Sequence, residues 1–154
     1  MASFNDLDHE KALKLFEQAR VCEDYDDWAP DKNQRDCWTL TCGVINKGSA
    51  SRAGLLVELT FRRSFKTKSI WYKFTVFKQQ PWGLERAYQL DILQHAKKIT
   101  THDMPHEHMG SKRVEGNKKW LDWDFAEVLA RFTEQTNIEF NPQVDHPEKF
   151  ELKG

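Results

Sequence analysis

The sequence predicts an α+β domain in which an antiparallel sheet of about four strands is flanked by an N-terminal and a C-terminal helix. Three observations carry this prediction. Between Trp38 and Ile92, apolar residues recur at every second position in four runs, the period of half-buried strands. The segments between runs are short, which suits antiparallel neighbours and is too little chain for a parallel crossover. Leu121, Phe125, Val128, Leu129 and Phe132 recur instead at helical spacing.

Asn5 or Asp6 is positioned to cap a first helix reaching about Cys22, with Leu13, Phe16 and Ala19 near helical spacing and Leu15 widening the stripe. The acidic stretch Glu23–Asp36 holds Pro30, lacks a period and reads as a loop. In the first strand Trp38, Leu40, Cys42 and Val44 share a face, and Asn46-Lys47-Gly48 ends it. Leu55, Val57, Leu59 and Phe61 form the apolar face of the second, and Ile70, Tyr72, Phe74 and Val76 that of the third. Leu55–Arg63 and Ser69–Lys78 are therefore expected to pair as a hairpin. The fourth, Leu84–Ile92, places Arg86 among Leu84, Tyr88, Leu90 and Ile92. A guanidinium on an apolar face must be paired or must reach a ligand, because burying it alone is too costly.

Asp124 with Glu127 has the spacing of a capping box ahead of the second helix, and Pro142 and Pro147 keep the tail extended. The chain thus divides into an acidic helix and loop (1–36), the sheet (37–92), a histidine-rich basic loop (93–120), and a helix with its tail (121–154), all in a single domain 1–154. No run approaches the roughly 18 apolar residues of a membrane span, and acidic residues precede any apolar run at the N-terminus. Cys22, Cys37 and Cys42 are odd in number and lack metal-finger or CxxC spacing, so they are expected to be reduced thiols in the cytoplasm.

The near-zero net charge conceals a segregated pattern. Residues 1–36 hold ten acidic and five basic side chains, residues 47–84 hold one and eight, and residues 120–154 hold eight and three. A basic middle between acidic ends is either the footprint of a phosphate-bearing partner or a set of charges that the ends fold back to neutralise.

Four of the six histidines fall between His95 and His108. Histidine both exchanges protons near neutral pH and ligates metals. As a metal site, His102, His106 and His108 offer three ligands, with Glu115 as a fourth. As a metal-free site, two imidazoles and a cation suffice for RNA cleavage: one takes the 2′-OH proton, another protonates the leaving oxygen, and Arg or Lys stabilises the phosphorane. As a structural loop, they cap strand ends. Trp71, Trp82 and Trp120 are available to stack unpaired bases or to fill the core.

The run Glu85-Arg86-Ala87-Tyr88-Gln89-Leu90-Asp91-Ile92, then Pro105-His106-Glu107-His108, then a final helix ending Phe132-Thr133-Glu134-Gln135-Thr136-Asn137-Ile138 resembles the TumE-like small bacterial proteins associated with toxin–antitoxin pairs. The likeness covers about the last half of the chain. It implies a toxin-like activity on RNA carried by Arg86, His106 and His108.

The expectation is a small cytoplasmic RNA-directed toxin-like protein, a histidine-dependent ribonuclease. Its catalytic residues would be His106, His108, Arg86 and His102, with Lys112, Arg113, Arg62 and Lys73 binding substrate. No metal or cofactor is assigned. The expected partners are RNA, or another phosphate-bearing molecule, and a cognate antitoxin protein, with no membrane. The alternative is a non-catalytic protein of a mobile element or defence system that binds and inhibits a nucleoprotein complex.

Overall fold

The computed structural model describes residues 5–23, 25–64, 66–94 and 104–148. In chain order the elements are β1 (Asn5–Asp6), α1 (His9–Leu15), β2 (Arg20–Cys22), β3 (Ala29–Pro30), β4 (Cys37–Asn46), β5 (Arg52–Arg63), β6 (Ile70–Gln80), β7 (Gly83–Gln94), β8 (His106–Met109), β9 (Lys112–Glu115), a 3-10 turn over Lys118–Asp122, α2 (Phe125–Thr136) and β10 (Ile138–Phe140). The four long strands β4 to β7 run antiparallel in sequence order and form the frame.

The expected sheet of about four strands between two helices is corrected to a mixed sheet of ten strands, ordered β10-β2-β4-β5-β6-β7-β8-β9, with β1 on β7 and β3 on β4. Two of the added pairings are parallel, β1 with β7 and β10 with β2. The strands that periodicity missed are two to four residues long. They form because the long strands offer unpaired edges, and an edge carbonyl or N–H left without a partner is costly. The first helix is correspondingly shorter than expected. Asp8 caps it, Phe16 ends it, and Arg20–Cys22 leaves it to become a strand. The histidine loop also becomes a hairpin, β8 to β9, across Gly110 and Ser111.

Both helices pack on one face of the sheet. Phe125, Val128, Leu129 and Phe132 of α2 are buried there, and the Phe132 ring meets Phe74 and Tyr88 at centroid distances of 5.9 and 5.8 Å. Phe16, at the end of α1, meets Tyr88 edge-on at 6.3 Å. The capping box at Asp124 and Glu127 is present in both directions. Beyond β10 the extended tail crosses the same face, where Tyr25 donates to the Pro142 carbonyl and Trp28 to that of Asp145 at 2.9 Å. Cys22, Cys37 and Cys42 are buried and form no disulfide among the described residues. No described helix is long and apolar enough to cross a membrane.

The acidic ends neutralise part of the basic middle. The basic middle meets the acidic ends in Lys47–Glu139 and Arg63–Glu148, both at 2.6 Å, and in Arg86–Asp6 at 2.7 Å.

Candidate functional site

Strand alternation sends the residues between the core positions to a second, outer face, on which no described helix packs. Registers across β6 to β9 place Thr75, Gln89, His108 and Arg113 in one row. The next row holds Lys73, Asp91, His106 and Glu115, and a third brings Arg62, Trp71 and Leu93 together. His106 and His108 thus share a face because β8 is extended, while Glu107 between them points to the core.

The expected place of Arg86 on the apolar face is corrected. Val76 pairs with Tyr88 but Phe77 pairs with Arg86, so Ala87 is an extra residue in β7. Such a bulge shifts the alternation by one position. It carries Arg86 to the outer face, where Nη1 donates to Gln89 at 3.0 Å and the guanidinium grips Asp6 through two bonds of 2.7 and 3.1 Å. Gln89 in turn donates to Thr75 at 3.0 Å.

The two histidines are not equivalent. His106 is 8 % exposed. Its Nδ1 donates to the Met104 carbonyl at 2.9 Å, which fixes the tautomer, and its Nε2 lies 3.9 Å from Asp91. The other Asp91 oxygen accepts from the Trp71 indole at 2.8 Å. His108 is half-buried, and among the described residues it makes no hydrogen bond; its contact is the edge of His106, with centroids 5.1 Å apart. Burial first, then the charges of Arg86 and His106, lower its pKa to about 4. At neutral pH it is an uncharged base with both nitrogens uncommitted to described partners.

The N-terminus and the β8–β9 turn hold this corner together. β1 and β8 lie end to end along the same edge of β7. Gly110 donates to the Ala87 carbonyl at 2.7 Å, and His9 Nδ1 donates to the Met109 carbonyl at 2.9 Å. Gly110 has φ +59°, and a Cβ there would stand 2.5 Å from the Leu7 carbonyl oxygen.

The other expected site residues scatter. Arg113 neighbours His108 in register and is half-paired at the surface with Glu115 at 2.6 Å. Lys112 pairs with Met109 and so projects to the opposite side of the hairpin from Arg113. Lys73 lies over Trp71, with Nζ 5.7 Å from the ring centroid, and Arg62 is exposed beyond it. His102 lies outside the described residues. Of the tryptophans, Trp120 is buried and stacked on Trp123, Trp82 is exposed in the β6–β7 turn, and Trp71 alone stands on the outer face near the histidines. Among the described residues no three or more His, Cys, Asp or Glu side chains are grouped as metal ligands would be.

Sequence reasoning missed the buried cluster beneath the histidines. Glu107, 4 % exposed, accepts from the Tyr88 hydroxyl at 2.5 Å and from the Arg131 guanidinium of α2, which also lies over Trp120. A Glu between two His looks polar and solvated; only the alternation of β8 sends it inward. Comparison with protein-family models, with curated proteins and with solved structures returns no match.

Proposed function

We propose that the protein acts on RNA through its outer face, as a small toxin-like ribonuclease in which His108 is the general base. The observation that carries this is His108 itself: an uncharged imidazole without a described hydrogen bond, beside Arg86 and Arg113. His108 would take the 2′-OH proton, the 2′-oxygen would attack the adjacent phosphorus, and the P–O5′ bond would break to leave a 2′,3′-cyclic phosphate. The departing 5′-oxygen takes its proton from water, because His106 is too enclosed to deliver one. His106 is then a positioning residue. Arg113 is the cation for the phosphorane: its pair with Glu115 is exposed and worth little, so a phosphate can displace it. Arg86, held by Asp6, tunes His108 rather than gripping substrate. The resemblance of the Arg86 strand and the Pro105–His108 run to TumE-like proteins is what supports a toxin–antitoxin setting for this activity.

One observation favours a second reading, in which the face binds a nucleoprotein complex and cuts nothing: both arginines already hold carboxylates. End-labelled single-stranded RNA incubated with the purified protein separates the two. Cleavage with cyclic-phosphate ends, reduced about 100-fold or more in His108→Ala, supports the ribonuclease. Binding without cleavage supports the inhibitor, and neither result with any RNA overturns both.

A further inference from the structure

The outer face ends, at the β5–β6 hairpin, in a hollow that the histidine chemistry does not use. Its volume is about 430 Å³, and it is lined by Arg62, Ser64, Thr67, Ser69, Trp71 and Leu93. Ligand pockets begin at about 300 Å³, so a single nucleotide fits. The hollow has a wall that suits a planar ring. Register puts Trp71 between Arg62 on β5 and Leu93 on β7, and the bond from its indole to Asp91 holds the ring in place. It also has a rim that suits an anion. Lys47 and Arg63 are paired with carboxylates of the tail, but Arg62, which lines the hollow, has no carboxylate within ion-pair distance among the described residues, and neither have Lys66 and Lys68, which flank Thr67 in the hairpin. The hairpin adds hydroxyls: Thr67 and Ser69 share a bond of 2.8 Å, and Ser64 accepts from the Thr67 N–H at 3.3 Å. Each hydroxyl keeps hydrogen-bonding capacity for a further group.

We infer that this hollow is a subsite for one nucleotide of a single-stranded RNA, its base against Trp71 and Leu93 and its phosphate on Arg62. An aromatic platform beside an arginine is how unpaired bases are held without sequence reading. The inference rests on the RNA reading of the outer face and adds a place where the strand is held apart from the cut. Trp71 and His106 share Asp91, so a nucleotide in the hollow adjoins the histidine row.

The test follows the Trp71 indole N–H by NMR, assigned with Trp71→Phe, while AMP and then a four-nucleotide RNA are added to the wild-type protein. The subsite predicts a saturable shift of that resonance, affinity for the RNA at least about tenfold weaker in both Arg62→Gln and Trp71→Ala, and near-normal affinity in Trp71→Phe. Arg62 is exposed, so its variant reports binding even if Trp71→Ala folds poorly. His108→Ala should keep the shift while losing cleavage. If cleavage depends on His108 but Arg62→Gln binds RNA like the wild type and no shift occurs, the subsite is wrong and the ribonuclease stands. If AMP and RNA shift Trp71 yet no RNA is cut, the subsite stands and the ribonuclease falls.

Discussion

At His108, burial and the neighbouring Arg86, His106 and Arg113 act in one direction, disfavouring the imidazolium. Asp6 acts against them, and Arg86 holds Asp6. A base that stays neutral well below the usual histidine range predicts a rate profile whose acid limb lies near pH 4 rather than near 6.5. Arg86→Ala removes one of the cations and should move that limb upward, which a pH–rate profile of the variant reads directly. Gly110 is the other residue on which this corner depends. It combines a left-handed backbone with a carbonyl where a Cβ would go. Gly110→Ala should therefore destabilise the fold by roughly 2–4 kcal/mol in urea titration, from left-handed strain and forced displacement of the Leu7–Asp8 backbone. If the variant is as stable as wild type, the contact of the N-terminus with the hairpin turn is not as tight as the geometry requires.

At the scale of elements, β8 has two jobs, because its alternation presents His106 and His108 outward and Glu107 inward. The inward side fixes the strand to α2 through Arg131. Removing one partner of a nearly buried pair leaves the other charge stranded, so Arg131→Ala should cost about 3 kcal/mol. Arg131→Met, keeping the bulk over Trp120 but not the charge, should recover little of it. Thermal melts of the two variants check this, and a fully stable Arg131→Met would assign the role to packing alone. The long strands were legible in the sequence because ten or more residues of alternation leave a clear period. The second helix was legible because its stripe and its Asp124–Glu127 box agree. The short strands were not, since two to four residues carry no period and form only where a long neighbour offers an edge. Arg86 was placed on the wrong face for a related reason: side-chain types do not mark a bulge at Ala87, and one extra residue inverts everything on its far side. Arg86 comes near His108 because β8 folds back antiparallel along β7 and pairs His108 with Gln89, not because its strand leads toward the histidines on the apolar face. The pairing of Arg86 with Asp6 was not legible, because it joins residues 80 apart.

Across the whole molecule, the ends of the chain meet the basic middle at separate places, the N-terminus at Arg86 and the tail at Lys47 and Arg63. The tail carries a second histidine with a lowered pKa. His146 lies against Phe61 and Phe125, its Nδ1 accepts the Glu148 backbone N–H at 3.0 Å, and burial disfavours its charged form. Protonation would convert that acceptor into a donor facing a donor. The sign of the pH effect is then the same at both sites. The unfolded chain binds protons near 6.5, whereas folded His108 resists until about 4 and folded His146 is likewise shifted down. Over this interval the unfolded state holds more protons, so stability is complete above 6.5 and declines as pH falls toward 4. Urea titrations at about pH 7 and pH 5 should show that decline before most carboxylates titrate. Because the two sites lie at different places on the sheet and share no described contact, their contributions should add. His108→Gln and His146→Gln should each flatten part of the profile, and the double variant most of it. A double variant that loses stability between pH 7 and pH 5 as steeply as wild type would place the acid sensitivity elsewhere, and would remove the burial argument for a neutral His108.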